Sequence, residues 1–112
     1  MNEQQILDVL VNAGICGGNI SPTVLPEDTP LPYGRYDVID VPINQDLVSA
    51  EVYQIRFTLT IWCYEYNTLY NLKNQIRALF KTKGTPILDT ITEETETGYQ
   101  RLDTSWYFIE TN

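Results

Sequence analysis

Few stretches of this chain carry residue types that do chemistry, and each can be weighed against what that chemistry needs. The 112 residues include no histidine. That removes the commonest general base, the Ser-His and Cys-His nucleophile pairs and most zinc sites. Gly14-Ile15-Cys16-Gly17-Gly18-Asn19 has the glycine content of a phosphate-cradling loop. It lacks the Gly-Lys-Ser/Thr ending and follows a helical pattern instead of a strand, so it reads as a turn. Two carboxylate groupings, Glu93, Glu94, Glu96 and Glu27-Asp28, are candidates for acid-base work or calcium. Neither alternates Asp/Asn around a central glycine as a calcium loop does, and both read as solvated turns. Cys16 and Cys63 have no metal or redox spacing, and both are expected to be reduced. The expectation is no catalytic residue, no metal and no cofactor: not an enzyme.

What remains points to contact instead of catalysis. Lys73, Arg77 and Lys81 recur at i, i+4 and i+8, joined by Lys83. Cations there complement a helix C-terminus and solvate an outer face. The other reading is that the stripe meets an acidic surface, such as the acid-rich first half of a second copy. A contact of that kind is heterologous, and heterologous contacts close into rings or extend into filaments. Trp62, Tyr64 and Tyr66 form the second grouping. Strand parity puts Trp62 and Tyr64 on a polar face, where they are expected to be exposed. Neighbouring exposed aromatics are enriched at interfaces, the alternative being packing at a sheet edge within one chain. The candidate interface residues are Trp62, Tyr64, Tyr66, Lys73, Arg77 and Lys81.

The elements that must position these groups start with Glu51 to Tyr64. Tyr53, Ile55, Phe57, Leu59, Ile61 and Cys63 alternate with Gln54, Arg56, Thr58 and Thr60. A strand sends successive side chains to opposite faces, so this segment is a long strand with one apolar and one mostly polar surface. After Tyr66-Asn67-Thr68, with Asn67 or Thr68 as the expected N-cap, Leu69, Leu72, Ile76, Leu79 and Phe80 mark an amphipathic helix ending near Gly84. It is expected to cover the strand's apolar face. Residues 3 to 13 read as a short helix with Ile6, Leu7, Leu10 and Val11 on its stripe and Gly14 as its stop. A Gly/Pro-rich loop follows over 14–32, and a loop that long in a small domain is usually functional or mobile. Tyr36 to Val41 is a strand whose inward face the mixed pattern does not reveal, and Asn44 to Ser49 is a polar connection. Ile87 to Thr95 and Tyr99 to Ile109 form a hairpin about Glu96-Thr97-Gly98, with Leu102, Trp106 and Phe108 on one face. The order is α-β-β-α-β-β. It predicts a single α+β domain over 1–112, an antiparallel sheet of about four strands with two helices on one face.

Composition bounds the partners. The chain is 43% hydrophobic and 20% charged, an ordinary globular balance. Fifteen acids against seven bases give a net charge of −8, which disfavours grip on nucleic-acid backbones. Residues 1 to 50 hold seven acids against Arg35 alone; residues 51 to 112 hold eight acids against six bases. No apolar run approaches the roughly 20 residues of a membrane helix, and MNEQQ lacks a signal peptide's basic start, so a cytoplasmic protein is expected.

The layout resembles the tail terminator, or tail completion, proteins of long-tailed bacteriophages and prophages. The matching pieces are the leading helix, the Pro-rich loop ending in Leu31-Pro32-Tyr33, and the strand Tyr53 to Trp62. The helix carrying Leu69, Leu72, Ile76-Arg77 and Leu79-Phe80 and the closing hairpin with Trp106-Tyr107-Phe108 complete it. The resemblance implies a structural protein of the head-tail neck, assembled in the host cytoplasm and residing in the virion. It implies a homo-hexameric ring that caps the tail tube, with the tube protein and a head-completion or connector protein as partners. DNA would pass through without sequence-specific binding, and some of the acidity would line the channel and repel it. The alternative from composition is a monomeric acidic binding module, an inhibitor or DNA mimic, with its acids on one continuous face.

Overall fold

The computed structural model describes residues 1–23, 30–42 and 53–110. The expectations for Glu27-Asp28, for Asn44 to Ser49 and for the first residues of the long strand, Glu51-Val52, lie outside them. The order is helix α1 (Glu3–Asn12), a 3-10 turn (Ile15–Gly18), strands β1 (Ile20–Ser21), β2 (Tyr33–Pro42) and β3 (Tyr53–Cys63), helix α2 (Tyr66–Phe80), then β4 (Thr85–Glu93) and β5 (Gln100–Glu110). The sheet order is β1-β2-β3-β5-β4. The α+β class with two helices is as the pattern predicts. The sheet differs from the expected four antiparallel strands: Ile20 and Ser21 pair parallel with Gly34 and Arg35 and add a fifth. Part of the expected 14–32 loop is thus ordered as the 3-10 turn and β1.

β3 sits at the centre, and its alternation decides the architecture. Ile55, Phe57, Leu59, Ile61 and Cys63 are buried, while Gln54, Arg56, Thr58, Thr60 and Trp62 between them are half-buried. Both helices pack on the buried side. Ile6 and Leu10 of α1 and Leu69, Ile76 and Phe80 of α2 share one core with Phe57, Leu59, Leu102, Trp106 and Phe108. Phe80 meets Trp106 and Phe108 edge-on, with centroids 5.6 and 5.0 Å away, the arrangement that ring quadrupoles favour. Where α2 returns to β4, a Cβ on Gly84 would stand 2.7 Å from Phe108 Cε1 and the Tyr107 carbonyl. Only glycine allows the chain to pass that close.

The helix termini refine the expectations. Asn2 caps α1 in a reciprocal box with Gln5. Gly14 takes a left-handed φ of 74° and its N–H reaches the Val11 carbonyl. The expected stripe is shifted: Val11 is 49% exposed, and Val9 and Ala13 pack against the core instead. α2 starts at Tyr66, not after an Asn67 or Thr68 cap; Glu65 is its N-cap residue and makes no side-chain cap bond. The ambiguous faces of β2 are resolved: Tyr36 is buried and stacks on Phe57 at 5.5 Å, while Arg35, Asp37 and Ile39 point away from the core.

Candidate subunit interface

No described element covers the sheet face opposite the helices, and a row of its polar residues is bonded within the chain, although Arg56 Nε is buried without a partner among the described residues. Strand register lines them up in rows, and paired residues on one face lie within side-chain reach. Thr58 Oγ1 and Ser105 Oγ are 3.0 Å apart, and Ser105 is fully buried. Thr60 donates to Asp103, which also accepts from Arg101 Nε at 3.0 Å. Arg101 reaches Glu94 at 3.3 Å. The same Glu94 oxygen accepts from Trp62 Nε1 at 2.9 Å. Glu94 is therefore not part of a free acidic cluster with Glu93 and Glu96: it folds back as the clamp that fixes the hairpin tip to β3.

That clamp corrects the expectation for Trp62. It is half-buried, not exposed, because Tyr33 on the neighbouring strand lies 5.4 Å from its ring and Glu94 holds its indole N–H. The next two aromatics behave as expected. Tyr64 is 62% and Tyr66 52% exposed, and Tyr70, one helical turn on, is 45% exposed. Tyr64 contacts the Tyr99 ring edge-on at 4.8 Å, and Tyr66 stacks with Tyr70 at 6.3 Å. Tyr70 was legible as the i+4 neighbour of Tyr66; Tyr99 required the hairpin register. The four tyrosines make an aromatic end where β3 turns into α2.

The basic stripe divides. Lys73 Nζ sits 5.3 Å over the Tyr70 ring, a cation–π contact that joins it to the aromatic end. Arg77 is bound at 2.7 Å by Asp89 of β4. Lys81 and Lys83 are exposed and make no ion pair among the described residues. On the helix-bearing side of the sheet, at β2, Glu3, Pro22, Tyr36, Asp37, Val38, Asp40 and Ile55 line a depression of about 300 Å³. Burial, and the Glu3 carboxylate close by, push the Tyr36 phenol above its ordinary range. This hollow has carboxylates around an apolar floor.

The Gly14 to Asn19 segment forms the 3-10 turn with Ile15 and Cys16 buried. Burial, with Cys63 nearby, pushes the Cys16 thiol up to about 12; it stays protonated and is a poor nucleophile at neutral pH. Among the described residues no three metal-ligating side chains converge, and no helix is long and apolar enough to cross a membrane. The chain matches no family model and no curated protein.

Proposed function

We propose that this chain is a ring-forming structural protein of the phage head-tail neck, a tail terminator or tail completion protein. The observation that carries the assembly half of this reading is the aromatic end. Tyr64, Tyr66 and Tyr70 are each at least 45% exposed beside one another, while Thr58, Thr60, Trp62, Arg101 and Asp103 of the open face are tied into bonds within the monomer. Large amphipathic rings left in water are what interface cores are enriched in. The neck role and the count of six copies rest on the family resemblance of the layout. The acidic inhibitor reading needs its carboxylates on one continuous face; the open face instead mixes Arg35, Arg56 and Arg101 with Asp37 and Asp103.

The contact surface is assigned to Tyr64, Tyr66, Lys73, Arg77 and Lys81, with Trp62 as its half-buried support. Trp62→Asp would break the Glu94 clamp as well as any contact, so Tyr64→Asp with Tyr66→Asp is the cleaner probe. Electron microscopy of the purified chain should show closed rings, and antibody labelling should mark the tail neck of virions. The tyrosine variant should lose the rings while keeping its melting temperature. Rings unaffected by it would remove the aromatic end from the interface, and label distributed elsewhere on the particle would reject the neck.

A further inference from the structure

The two edges of the sheet are complementary in charge, direction and level. β2 is antiparallel to β3, β3 to β5 and β5 to β4, so the edge strands β2 and β4 run in opposite directions. Copies placed side by side in the same orientation therefore bring β4 of one against β2 of the next as an antiparallel pair. Among the described residues both edges have room: β1 pairs only with Gly34 and Arg35, no described strand covers β2 from Tyr36 to Pro42, and none covers β4 beyond β5. Ile87 and Leu88 on that β4 edge are 41% and 40% exposed, and an open apolar strand edge is a template for pairing.

The charges fall at the same end of the two edges. Ile39 pairs with Arg56, Arg56 with Tyr107 and Tyr107 with Thr85, so Asp37 and Asp40 on β2 lie level with the start of β4. Lys81 and Lys83 immediately precede that start. Glu3 and Asp40 line the hollow on the helix-bearing side, the side on which α2 delivers its lysines. Neither lysine, nor Asp37 or Asp40, has an ion-pair partner among the described residues.

We infer that the partner at this surface is a second copy of the same chain joined head to tail, with β4 of one copy adding to the edge of β2 in the next, Lys81 and Lys83 reaching the hollow lined by Glu3 and Asp40, and Asp37 beside it on the outer face of the same edge. The inference rests on the ring reading above and adds a joint between sheet edges to the contact at the aromatic end. Because the joint is heterologous, each copy has one donor and one acceptor edge, and a ring closes when the turn per copy permits. Pro86 removes one ladder donor from β4, so the ionic contact carries much of the specificity.

The test exchanges charges in the full chain. Asp37, Asp40, Lys81 and Lys83 are all exposed, so Asp37→Lys/Asp40→Lys and Lys81→Glu/Lys83→Glu should both fold, which circular dichroism and a melt check. Sedimentation velocity should find each double variant alone at least about 100-fold weaker in self-association, since like charges then face each other. Equal amounts of the two variants mixed should regain assembly, alternating in sequence, because each then meets its opposite. Wild-type assembly left unchanged by both variants would overturn this joint and leave the ring reading standing. Variants that dissociate and do not recover on mixing would overturn the pairing of these two edges. A wild-type chain that stays monomeric at every concentration would overturn both.

Discussion

The two faces of the central strand obey different rules. On the helix side Phe57, Leu59 and Ile61 are sealed from water by α1 and α2, and their energy comes from apolar area and close fit. On the other side Thr58, Thr60 and Trp62 have no described element above them, yet they are half-buried and bonded to Ser105, Asp103 and Glu94. Those three side chains are therefore already engaged within the monomer. Exposed charges at the edges that make no ion pair among the described residues, and the exposed rings of Tyr64, Tyr66 and Tyr70, are where a second molecule has something to gain.

The largest effect that separates the two faces should come from Phe80→Ala. It removes a fully buried ring that touches Trp106 and Phe108, and urea unfolding should register a loss of roughly 3–5 kcal/mol. Gly84→Ala forces a methyl into Phe108 and the Tyr107 carbonyl. The expected loss is about 1–3 kcal/mol in the same assay, and a neutral result would mean that the α2–β4 connection yields easily. A third measurement uses pH. The Cys16 thiol is raised from its ordinary 9.0 to about 12, so above the unfolded value the unfolded chain alone ionises. Stability should be intact below about pH 9 and fall as pH rises towards 12; Cys16 contributes a slope near 1.4 kcal/mol per pH unit that Cys16→Ala removes, leaving the part due to the raised Tyr36 phenol.

The open face should respond less. Thr58→Val leaves the buried Ser105 hydroxyl without its partner and should cost about 1 kcal/mol. The smallest effect belongs to Arg77→Ala, whose guanidinium is 53% exposed at its bond to Asp89; a double-mutant cycle with Asp89→Asn should return under about 1 kcal/mol. A larger coupling there would promote this pair from a surface tie to a structural anchor of α2.

This contrast also explains what a sequence can reveal. The period-2 run of β3 and the Leu69, Ile76, Phe80 spacing of α2 were legible because one-sided burial stamps its period on composition. The mixed pattern of β2 was not, since an edge strand with Tyr36 inward and Ile39 outward has no clean polarity. β1 contains only Ile20 and Ser21, too few residues for any period, and it exists through pairing with Gly34 and Arg35. The start of α2 offered Asn67 and Thr68 as better caps than Glu65, and packing of Leu69 into the core set the boundary instead. Parity assigned Trp62 to the correct face but missed its burial, because Glu94 reaches it from 32 residues away. The candidate interface was legible as residue types; which of those residues stay free in the folded chain was a matter of long-range bonds.

The most direct measurement is the native mass of the wild-type chain followed from micromolar to millimolar concentration, at low and at high salt. A surface built for its own copies predicts one closed species, six chains on the family resemblance, that loosens as salt screens the lysine–carboxylate contact. A single-chain mass throughout, whatever the salt, would contradict the account.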